Sequence, residues 1–377
     1  MGMTLGRWHE VMTVFEAALE RAPGARAQFL DQVCGPDAAL RHELETLLAA
    51  DAAAEGFLEP PVANAVELLE GDPGRRSGRR KRRPSAVLEE RLQSVLGTAY
   101  RFERELGGGG MSRVFLATES ACSRRVVLKL LPPELTTTVD VARFRREVSL
   151  AARLHHPHLV PLLTAGEIEG DLLYYTMPYV EGESLRERLR RETILPVHEA
   201  LGIAREVANA LSYAHSQGVI HRDIKPENIL LSGEHAVVTD FGIARAIEAG
   251  AEVKLTQSGY TLGTPAYMSP QQMAGEPVDG RADVYSLGCV LYEMLAGRPP
   301  YAGAALLAVL TQRLAAIPQP LRTLREGLPE SVEQAVTKAL ARLPVDRFQT
   351  AAGFADALAI GAAGVTPRKA LHNSTGS

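Results

Sequence analysis

The first residues that could do chemistry are four consecutive glycines, Gly107 to Gly110, which continue into Met111, Ser112, Arg113 and Val114. Glycines allow the backbone of a hairpin to lie close to phosphate groups, so that its amides face the anionic oxygens. A dinucleotide-binding loop would be followed directly by a helix, whereas residues 114–117, VFLA, favour a strand. The stretch therefore argues against a Rossmann unit, and by itself it is more often an ordinary turn than a phosphate-binding loop.

Lys129 is the second such residue, because it follows three apolar residues, Val126-Val127-Leu128. Charged side chains are rarely buried without a partner, so this lysine needs an anion, either a nucleotide phosphate or a carboxylate. Glu147, in the helical stretch that follows, is the natural carboxylate. A lysine that ends an isolated strand is usually solvated, and it is the glycine-rich stretch before it that favours a buried role.

The third and strongest signal is the sequence HRDIKPEN at residues 221–228, followed by DFG at residues 240–242. Alone, Asp223 or Asp240 would most often form an ion pair on a surface. Together with the glycines and Lys129, and in this order, the motifs resemble the eukaryotic-type protein kinases, and specifically the bacterial serine/threonine kinases of that superfamily. GTPAYMSPQ at 263–271, DVYSLG at 283–288 and Arg347 extend the resemblance from about residue 100 to residue 358.

The resemblance implies an α+β fold of two lobes, a small β-rich lobe and a larger helical lobe, and phosphoryl transfer by positioning and charge neutralisation. Asp223 would accept or orient the proton of the substrate hydroxyl, and Lys225 would neutralise charge on the transferring group. Lys129 would hold the α- and β-phosphates and be oriented by Glu147. The expected catalytic residues are Asp223, Lys225, Lys129, Glu147, Asn228 and Thr264.

The same resemblance implies ATP and Mg²⁺, with Mn²⁺ as an alternative metal, and makes Asn228 and Asp240 the metal ligands. Met177 falls at the gatekeeper position, and the backbone of Tyr179 and Val180 would hydrogen bond the base. Three apolar residues would enclose adenine, namely Val114, Val127 and Leu230. The full expected nucleotide site is Leu106, Gly107, Gly108, Gly109, Gly110, Met111, Ser112, Val114, Val127, Lys129, Met177, Tyr179, Val180, Leu230 and Asp240.

Serine and threonine specificity and a regulatory site also follow from the resemblance. Lys225 and the stretch at 263–267 resemble the serine/threonine branch. Arg222 and Arg245 are expected to bind a phosphate on the activation segment, which would order that segment. The expected autophosphorylation sites, modified in trans between self-associating copies, are Thr256 and Ser258, with Thr261 a weaker candidate. His221 is expected to be structural and Asp283 to brace the backbone of the catalytic loop.

Two positions depart from the family pattern. Ser112 replaces the third glycine of the loop, which restricts φ but keeps the backbone N–H. Gln271 stands where the family usually has a glutamate paired to the arginine that is Arg347 here. Glutamine still accepts a hydrogen bond but carries no charge, so we expect a less firmly anchored activation segment.

Four regions are predicted along the chain. Residues 1–70 show apolar residues at helical spacing and are expected to form a helical module with a regulatory or interaction role. Residues 71–99 are expected to form a flexible linker, because seven basic residues crowd into positions 75–83 with a glycine and a following proline. Such a run could contact nucleic acid or an anionic membrane, although a solvated tether is favoured. Residues 100–360 would be the catalytic domain and 361–377 a tail.

Composition narrows the functional class. With 41 basic and 45 acidic residues the net charge is −4, which gives no reason to expect a nucleic-acid partner. The three cysteines lack metal-binding spacing, and no apolar run is long enough for a membrane helix, so a cytoplasmic protein is expected. Sensing would use the helical module or a separate partner, unless the sequence belongs to a longer chain.

Two other functions compete with that of an active kinase that phosphorylates proteins. One is a pseudokinase that binds nucleotide and acts as a scaffold, which is disfavoured because the full polar set is present. The other is an adaptor that acts through residues 5–70 and the basic tether. Loss of partner binding but not of phosphotransfer, after deletion of residues 1–84, would assign the two roles to different parts of the chain.

Overall fold

The structure is a computed structural model of the 377-residue chain. It describes residues 23–35, 92–109, 112–131, 141–168, 172–241, 265–301 and 318–363, and scattered further residues between 14 and 48. The chain divides into two units, Met1–Arg80 and Lys81–Ser377, and each is described by itself.

In the first unit the structure describes one helix, α1, at Pro23–Cys34. Leu30 and Cys34 are buried along it. The Asp37 carboxylate accepts a hydrogen bond from the backbone N–H of Leu40 at 2.9 Å, the contact that a helix N-cap makes. Four of the apolar residues at helical spacing lie outside the described residues, namely Trp8, Val11, Phe15 and Leu19.

The β-rich lobe of the second unit is one antiparallel sheet in the order β1-β2-β3-β5-β4. β3 is its central strand, which explains why Val126, Val127 and Leu128 are all buried. The strands are β1 Tyr100–Gly109, β2 Ser112–Glu119, β3 Arg124–Leu130, β4 Thr164–Ile168 and β5 Leu172–Pro178.

Helix α2, Val141–Ala151, covers one face of this sheet, where its Phe144 and Val148 form a cluster with Tyr175 of β5. The opposite face is covered in part by a helical turn at residues 92–96, whose Leu92 is fully buried. The predicted linker, 71–99, is therefore too long at its end. The packed unit includes residues 92–99, because Leu92 contributes an apolar side chain that the sheet would otherwise expose.

The helical lobe is built around helix α6, Gly280–Ala296, of which every residue from Ala282 to Leu295 is buried. The Asp279 side chain caps its first turn, and Gly297 ends it with a φ of 76° that a β-carbon would disfavour. The other helices are α3 Leu185–Glu192, α4 Val197–Ser216, α5 Pro270–Met273, α7 Leu321–Leu324, α8 Glu330–Ala339 and α9 Ala351–Ala363.

A small second sheet carries the sequence motifs into position. It consists of β6 Glu183–Ser184, β7 Ile229–Ser232 and β8 His235–Val238, all antiparallel. Because β7 and β8 form a hairpin, the residues before β7 and after β8 meet, and the Thr239 N–H donates to the Asn228 carbonyl at 3.0 Å. The stretch 221–228 and Asp240 are thus neighbours.

The two lobes confirm the predicted fold class. Within the described ranges, no helix combines the length and the apolar character that crossing a bilayer requires.

Candidate active site

The glycine-rich stretch forms the end of the β1–β2 hairpin, whose register pairs Gly109 with Ser112. Close to this end, Arg113 of β2 donates two hydrogen bonds of 2.7 and 2.8 Å to the Glu105 carboxylate of β1, which links the two strands. The strand predicted after the glycines is confirmed. Leu106, just before the glycines, is partly exposed. Residues 107–109 are all glycine, so this end of the hairpin offers only backbone groups to a ligand.

Asp223 is held by two neighbours in the loop between α4 and β7. Its Oδ2 accepts hydrogen bonds from the Lys225 ammonium at 2.7 Å and from the Asn228 amide at 3.0 Å. The same Asn228 Nδ2 donates to the Asp223 carbonyl at 2.7 Å. Since about a third of the Asp223 side chain is exposed (32%), the carboxylate is oriented yet accessible.

Asp283 of α6 supports this loop from below and confirms the bracing role predicted for it. Its Oδ2 accepts from the backbone N–H of His221 at 2.8 Å, and its Oδ1 from that of Arg222 at 2.7 Å. His215 approaches Oδ2 at 2.7 Å. Burial raises the pKa of Asp283, but its hydrogen bonds to His215 and the Arg222 N–H, with the charges of the neighbouring histidines, together outweigh burial, so the pKa lies below its ordinary value.

The ring of His221 is fully buried and joins the two motifs, as the structural role predicted for it requires. Its Nδ1 accepts the Asp223 N–H at 3.1 Å, and its Nε2 lies 2.9 Å from the Thr239 carbonyl. The ring also contacts Phe241 edge-on, with centroids 4.5 Å apart. The backbone at Asp223 is thereby tied to the backbone just before Asp240.

Asp240 is a buried carboxylate with two donors. Its Oδ2 accepts from the Lys129 ammonium and its Oδ1 from the Tyr175 hydroxyl, at 2.8 and 2.7 Å. Burial alone would raise the pKa of Asp240. The charge of Lys129 and these two hydrogen bonds have the opposite and larger effect, so the pKa lies below its ordinary value. The group is therefore ionised at neutral pH.

The ion pair expected between Lys129 and Glu147 is not formed in this structure. Lys129 pairs with Asp240 instead, and Glu147 of α2 has no ion pair among the described residues. The physical reason is burial, because the Asp240 carboxylate is largely withdrawn from water and needs a cation more than the half-buried Glu147 does. Which of two carboxylates a lysine selects depends on such local burial.

Two of the three apolar residues expected around adenine, Val114 and Val127, lie on one face of the main sheet. Val114 is directly opposite Lys129, and Val127 is directly opposite Met177. Directly opposite residues share a face, and residues two apart along a strand share it too, so all four side chains lie on the same side. Thr239 donates its hydroxyl to the Met177 sulfur at 3.2 Å, which places that side chain near the Asp240 segment.

The backbone expected to bind the base is only partly free. The Tyr179 N–H donates to the Arg125 carbonyl at 3.1 Å, so it cannot also donate to a ligand. The Val180 N–H donates no hydrogen bond to another backbone group in the described part of the chain, so it is the donor of the pair that could bind the base. Leu230 lies on β7 of the second sheet, where it pairs with Ser184.

Several expected site residues lie outside the described residues. They are Gly110 and Met111 of the glycine loop, Thr264, and the predicted phosphorylation sites Thr256, Ser258 and Thr261, together with Arg245.

The sequence interpretation missed Tyr175, which is 3% exposed, lines a cavity of about 20 Å³ together with Met177, and contacts Asp240. The only sequence feature that could have indicated this role is a tyrosine hydroxyl on a strand, two positions before the expected gatekeeper Met177. It also missed Arg186 of α3, whose guanidinium forms ion pairs of 2.8 Å with both Glu227 and Glu293. Tyr267 completes that cluster through hydrogen bonds to Arg186 and Glu293.

Replacing Tyr175 with phenylalanine is expected to lower the concentration of Mg²⁺ needed for half-maximal activity by about 3- to 10-fold. The hydroxyl holds one of the two oxygens through which Asp240 would bind metal, and metal binding must compete with that hydrogen bond. Magnesium titrations of the initial rate at saturating ATP measure the effect. Tyr174→Phe, at the preceding position of β5, is the matched control, and a higher magnesium requirement in Tyr175→Phe would contradict the expectation.

The Gln271–Arg347 contact predicted from the sequence is present and buried. Arg347 Nη2 donates to Gln271 Oε1 at 3.0 Å, and its other hydrogen bonds go to backbone carbonyls. Burial lowers the pKa of Arg347 to about 10. The Gln271 Nε2 is buried without a hydrogen bond in the described part of the chain. The pair thus contains a poorly compensated charge and an unsatisfied amide.

Gln271→Glu is expected to raise the free energy of unfolding by about 1–3 kcal/mol, because it supplies a counter-charge and removes the unsatisfied N–H group. Thermal unfolding at neutral pH, followed by circular dichroism, measures the shift. Gln217→Glu makes the same charge change at an exposed position and serves as the control. A melting temperature equal to or below that of the wild type would show that the contact is already satisfied.

A divalent metal fits the polar residues of this site. Both hydrogen bonds of the Asn228 Nδ2 go to Asp223, so the amide orientation is set and its Oδ1 keeps no hydrogen bond among the described residues. Asp240 is ionised for the reasons given above. Amide and carboxylate oxygens are the hard ligands that Mg²⁺ prefers, so these two side chains could hold it.

Comparison with known proteins agrees with this geometry. Residues 100–355 match the family model for the protein kinase domain. The chain is similar to the serine/threonine-protein kinase PknB of Mycobacterium leprae, with 43% identity over 262 residues that cover 68% of this chain and 42% of that protein. It is also similar to PknJ of Mycobacterium tuberculosis, with 42% identity over 268 residues, or 69% of this chain and 45% of that protein.

Among solved structures, the PknI kinase domain of Mycobacterium tuberculosis resembles this chain with a TM-score of 0.57 and 33% identity. The similarity covers 71% of this chain and 96% of that one. The chain spans less than half the length of the PknB and PknJ relatives. Because the family model covers more than half of the sequence, the chain belongs to the protein kinase family, with residues 100–355 as its kinase domain.

Proposed function

We propose that this protein is a serine/threonine protein kinase that transfers the γ-phosphoryl group of Mg·ATP to hydroxyl groups of protein substrates. The observation that carries the proposal is the pair of carboxylates placed by the β7–β8 hairpin, Asp223 with Lys225 and Asn228 around it, and the ionised Asp240. The relatives named serine/threonine-protein kinase support the choice of acceptor.

In this proposal Asp223 orients the acceptor hydroxyl and takes up its proton. The Lys225 ammonium, 2.7 Å from Asp223 Oδ2, lies next to the path of the transferring group and offsets its negative charge. Asn228 keeps the carboxylate in one orientation through its Nδ2. Positioning of this kind can replace covalent chemistry in phosphoryl transfer.

Metal and nucleotide would be held by the remaining polar groups. Mg²⁺, or Mn²⁺ in its place, supplies charge neutralisation between the phosphates when bound. Asn228 Oδ1 and the Asp240 carboxylate are the proposed ligands. Lys129 would pass from Asp240 to the α- and β-phosphates, and Glu147 would then be the carboxylate that orients it. Leu106, Val114, Val127, Met177 and Leu230, with the Val180 backbone, would enclose the base.

Regulation by phosphorylation is part of the proposal. Thr256 and Ser258, and less strongly Thr261, would be modified in trans by a second copy of the chain. The phosphate would meet Arg222 and Arg245 and order the segment between Asp240 and Thr264. ATP as a substrate and cysteines without disulfides favour a cytoplasmic location for the kinase domain.

The roles of the flanking regions are proposed as well. Residues 1–70 would act in interaction or regulation, and the basic stretch that follows would act as a tether with no nucleic-acid partner. The predicted tail, 361–377, starts three residues too early, because α9 continues to Ala363; residues 364–377 would be a tail outside the catalytic domain.

The test is label transfer from γ-labelled ATP to a mixture of serine-, threonine- and tyrosine-containing peptides, with and without Mg²⁺. Acid hydrolysis of the products identifies the modified amino acid. We expect magnesium-dependent phosphoserine and phosphothreonine. Nucleotide binding without transfer would favour the scaffold function, and phosphotyrosine as the main product would overturn the proposed specificity.

A further inference from the structure

Three side chains outside the active site meet on the side of the β7–β8 hairpin that faces helix α4. His158 comes from the segment between α2 and β4, Glu206 from the middle of α4, and His235 from the start of β8. Neither the phosphoryl-transfer site nor the apolar core uses any of them. Their coming together from three distant parts of the sequence is therefore a separate feature of this chain.

The geometry of the group is compact. His235 Nδ1 lies 2.9 Å from Glu206 Oε1, and His158 Nδ1 lies 3.8 Å from Glu206 Oε2. One ligand atom from each of the three residues lies within 4.8 Å of the other two. Ligand atoms about 2.0–2.2 Å from a tetrahedral zinc ion lie about 3.3–3.6 Å from one another, so small side-chain rotations would bring all three onto one ion.

The surroundings also suit a cation. Glu206 is about three-quarters buried, with 24% of its side chain exposed, whereas His235 is 69% exposed and leaves a path for entry. The Glu206 Oε2 accepts a hydrogen bond from the backbone N–H of Ala236 at 2.6 Å. Metal ligands are commonly oriented by a hydrogen bond of this kind from a group that does not itself bind the metal. Glu234 adds negative charge near His235.

Hydrogen bonds occupy these groups in the absence of a metal. His235 bonds Glu206, and His158 Nδ1 lies 2.9 Å from the Ala236 carbonyl. A metal ion would replace the proton shared between His235 and Glu206. To bind the ion, His158 Nδ1 would give up its contact with the Ala236 carbonyl. Neutral imidazole and carboxylate are then the ligands, so binding releases protons.

We propose that His158, Glu206 and His235 form a binding site for a single Zn²⁺ ion, with water as the fourth ligand. Two imidazoles and one carboxylate match the ligand preference of zinc better than that of magnesium or calcium, which favour all-oxygen sites. The group is the one candidate metal cluster of histidine, cysteine and acidic residues found among the residues that the structure describes.

The position of the site gives zinc a structural effect. The segment that carries His158 is already joined to β8, since the Val238 N–H donates to the His158 carbonyl and the Val160 N–H to the Val238 carbonyl, both at 2.9 Å. Zinc would add a link between the segment after α2, helix α4 and the strand that leads to Asp240. A ligand that binds only the folded state also raises its stability.

Zinc binding by the full-length chain is measured by competition with a chromogenic chelator, without nucleotide or magnesium, at about pH 7.5, because protons compete with metal ions for imidazole at lower pH. We expect each chain to bind one zinc ion through His158, Glu206 and His235, and we expect zinc to raise the melting temperature of the protein. His235→Ala and the isosteric Glu206→Gln should each weaken this binding by at least about tenfold, because even the loss of an outer partner costs 10- to 100-fold.

His198→Ala removes an exposed histidine from the same helix α4 and is the matched control, expected to bind zinc like the wild type. Cobalt binding gives an independent readout, because a four-coordinate site produces intense visible absorption that His235→Ala should lose. Absence of zinc binding, or binding equally strong in His235→Ala and Glu206→Gln, would overturn the proposal. Because His235 is exposed, a folding defect should not obscure the result.

Discussion

Asp223→Asn is expected to reduce the rate of phosphoryl transfer by about 10²- to 10⁴-fold, the usual contribution of a positioned general base. The asparagine has the same shape and its oxygen can still accept a hydrogen bond from Lys225. It cannot take up the proton of the acceptor hydroxyl. With that oxygen in the position of Oδ2, it accepts from both Lys225 and Asn228, as the carboxylate does in the wild type.

The effect should fall on the chemical step and leave ATP binding nearly unchanged, since Lys129 and Asp240 are untouched. Steady-state rates with a peptide substrate give kcat, and titration with a fluorescent ATP analogue gives the dissociation constant. Asp346→Asn, an exposed carboxylate on another part of the helical lobe, controls for the loss of one charge. A kcat within a few-fold of the wild type would show that Asp223 is not the base.

Much of the fold was predictable because the sequence patterns that encode it are local. The glycines, followed by β-type residues, predict a hairpin, and β1 and β2 form it. The start of the packed unit was harder to predict. Leu92 is buried only because the sheet offers it an apolar face, and that face is assembled from strands that lie far apart in the sequence.

The candidate site shows the same division. Asp223, Asn228 and Asp240 could be selected from their motifs, and the β7–β8 hairpin then brings their backbones together. The partner of Lys129 could not be selected, because Glu147 and Asp240 are both carboxylates and their burial differs only after the lobes have formed. Tyr175 escaped for the same reason, since its contact with Asp240 crosses 65 positions of sequence.

Asp283→Asn is expected to lower the free energy of unfolding by about 2–4 kcal/mol and to reduce activity as well. The Asp283 carboxylate is fully buried and accepts three hydrogen bonds, from His215, the His221 N–H and the Arg222 N–H. An asparagine has one acceptor oxygen, so in either orientation its NH₂ group meets a donor. No water can compensate at a position with zero exposure.

Activity should fall because Asp283 also holds an unfavourable backbone conformation. Arg222 has a φ of 70°, in the left-handed region that costs a residue with a side chain about 1–3 kcal/mol. The hydrogen bond from its N–H to Asp283 Oδ1 helps to maintain this conformation immediately before Asp223. When that bond is lost, the carboxylate of Asp223 is expected to lose its orientation, which lowers kcat more than it changes the affinity for ATP.

The pH dependence of stability tests the electrostatic part of this argument. Because the folded-state pKa of Asp283 lies below its ordinary value of 3.8, the charged carboxylate stabilises the fold above that pH, and the stabilisation is lost as the pH falls through the lower folded-state value. The difference in unfolding free energy between wild type and Asp283→Asn should therefore be constant near neutrality and narrow in acid. Urea unfolding at a series of pH values measures it, with the exposed Asp356→Asn as control. A difference that stays constant into strong acid would mean that geometry alone, and not the charge of Asp283, secures the loop.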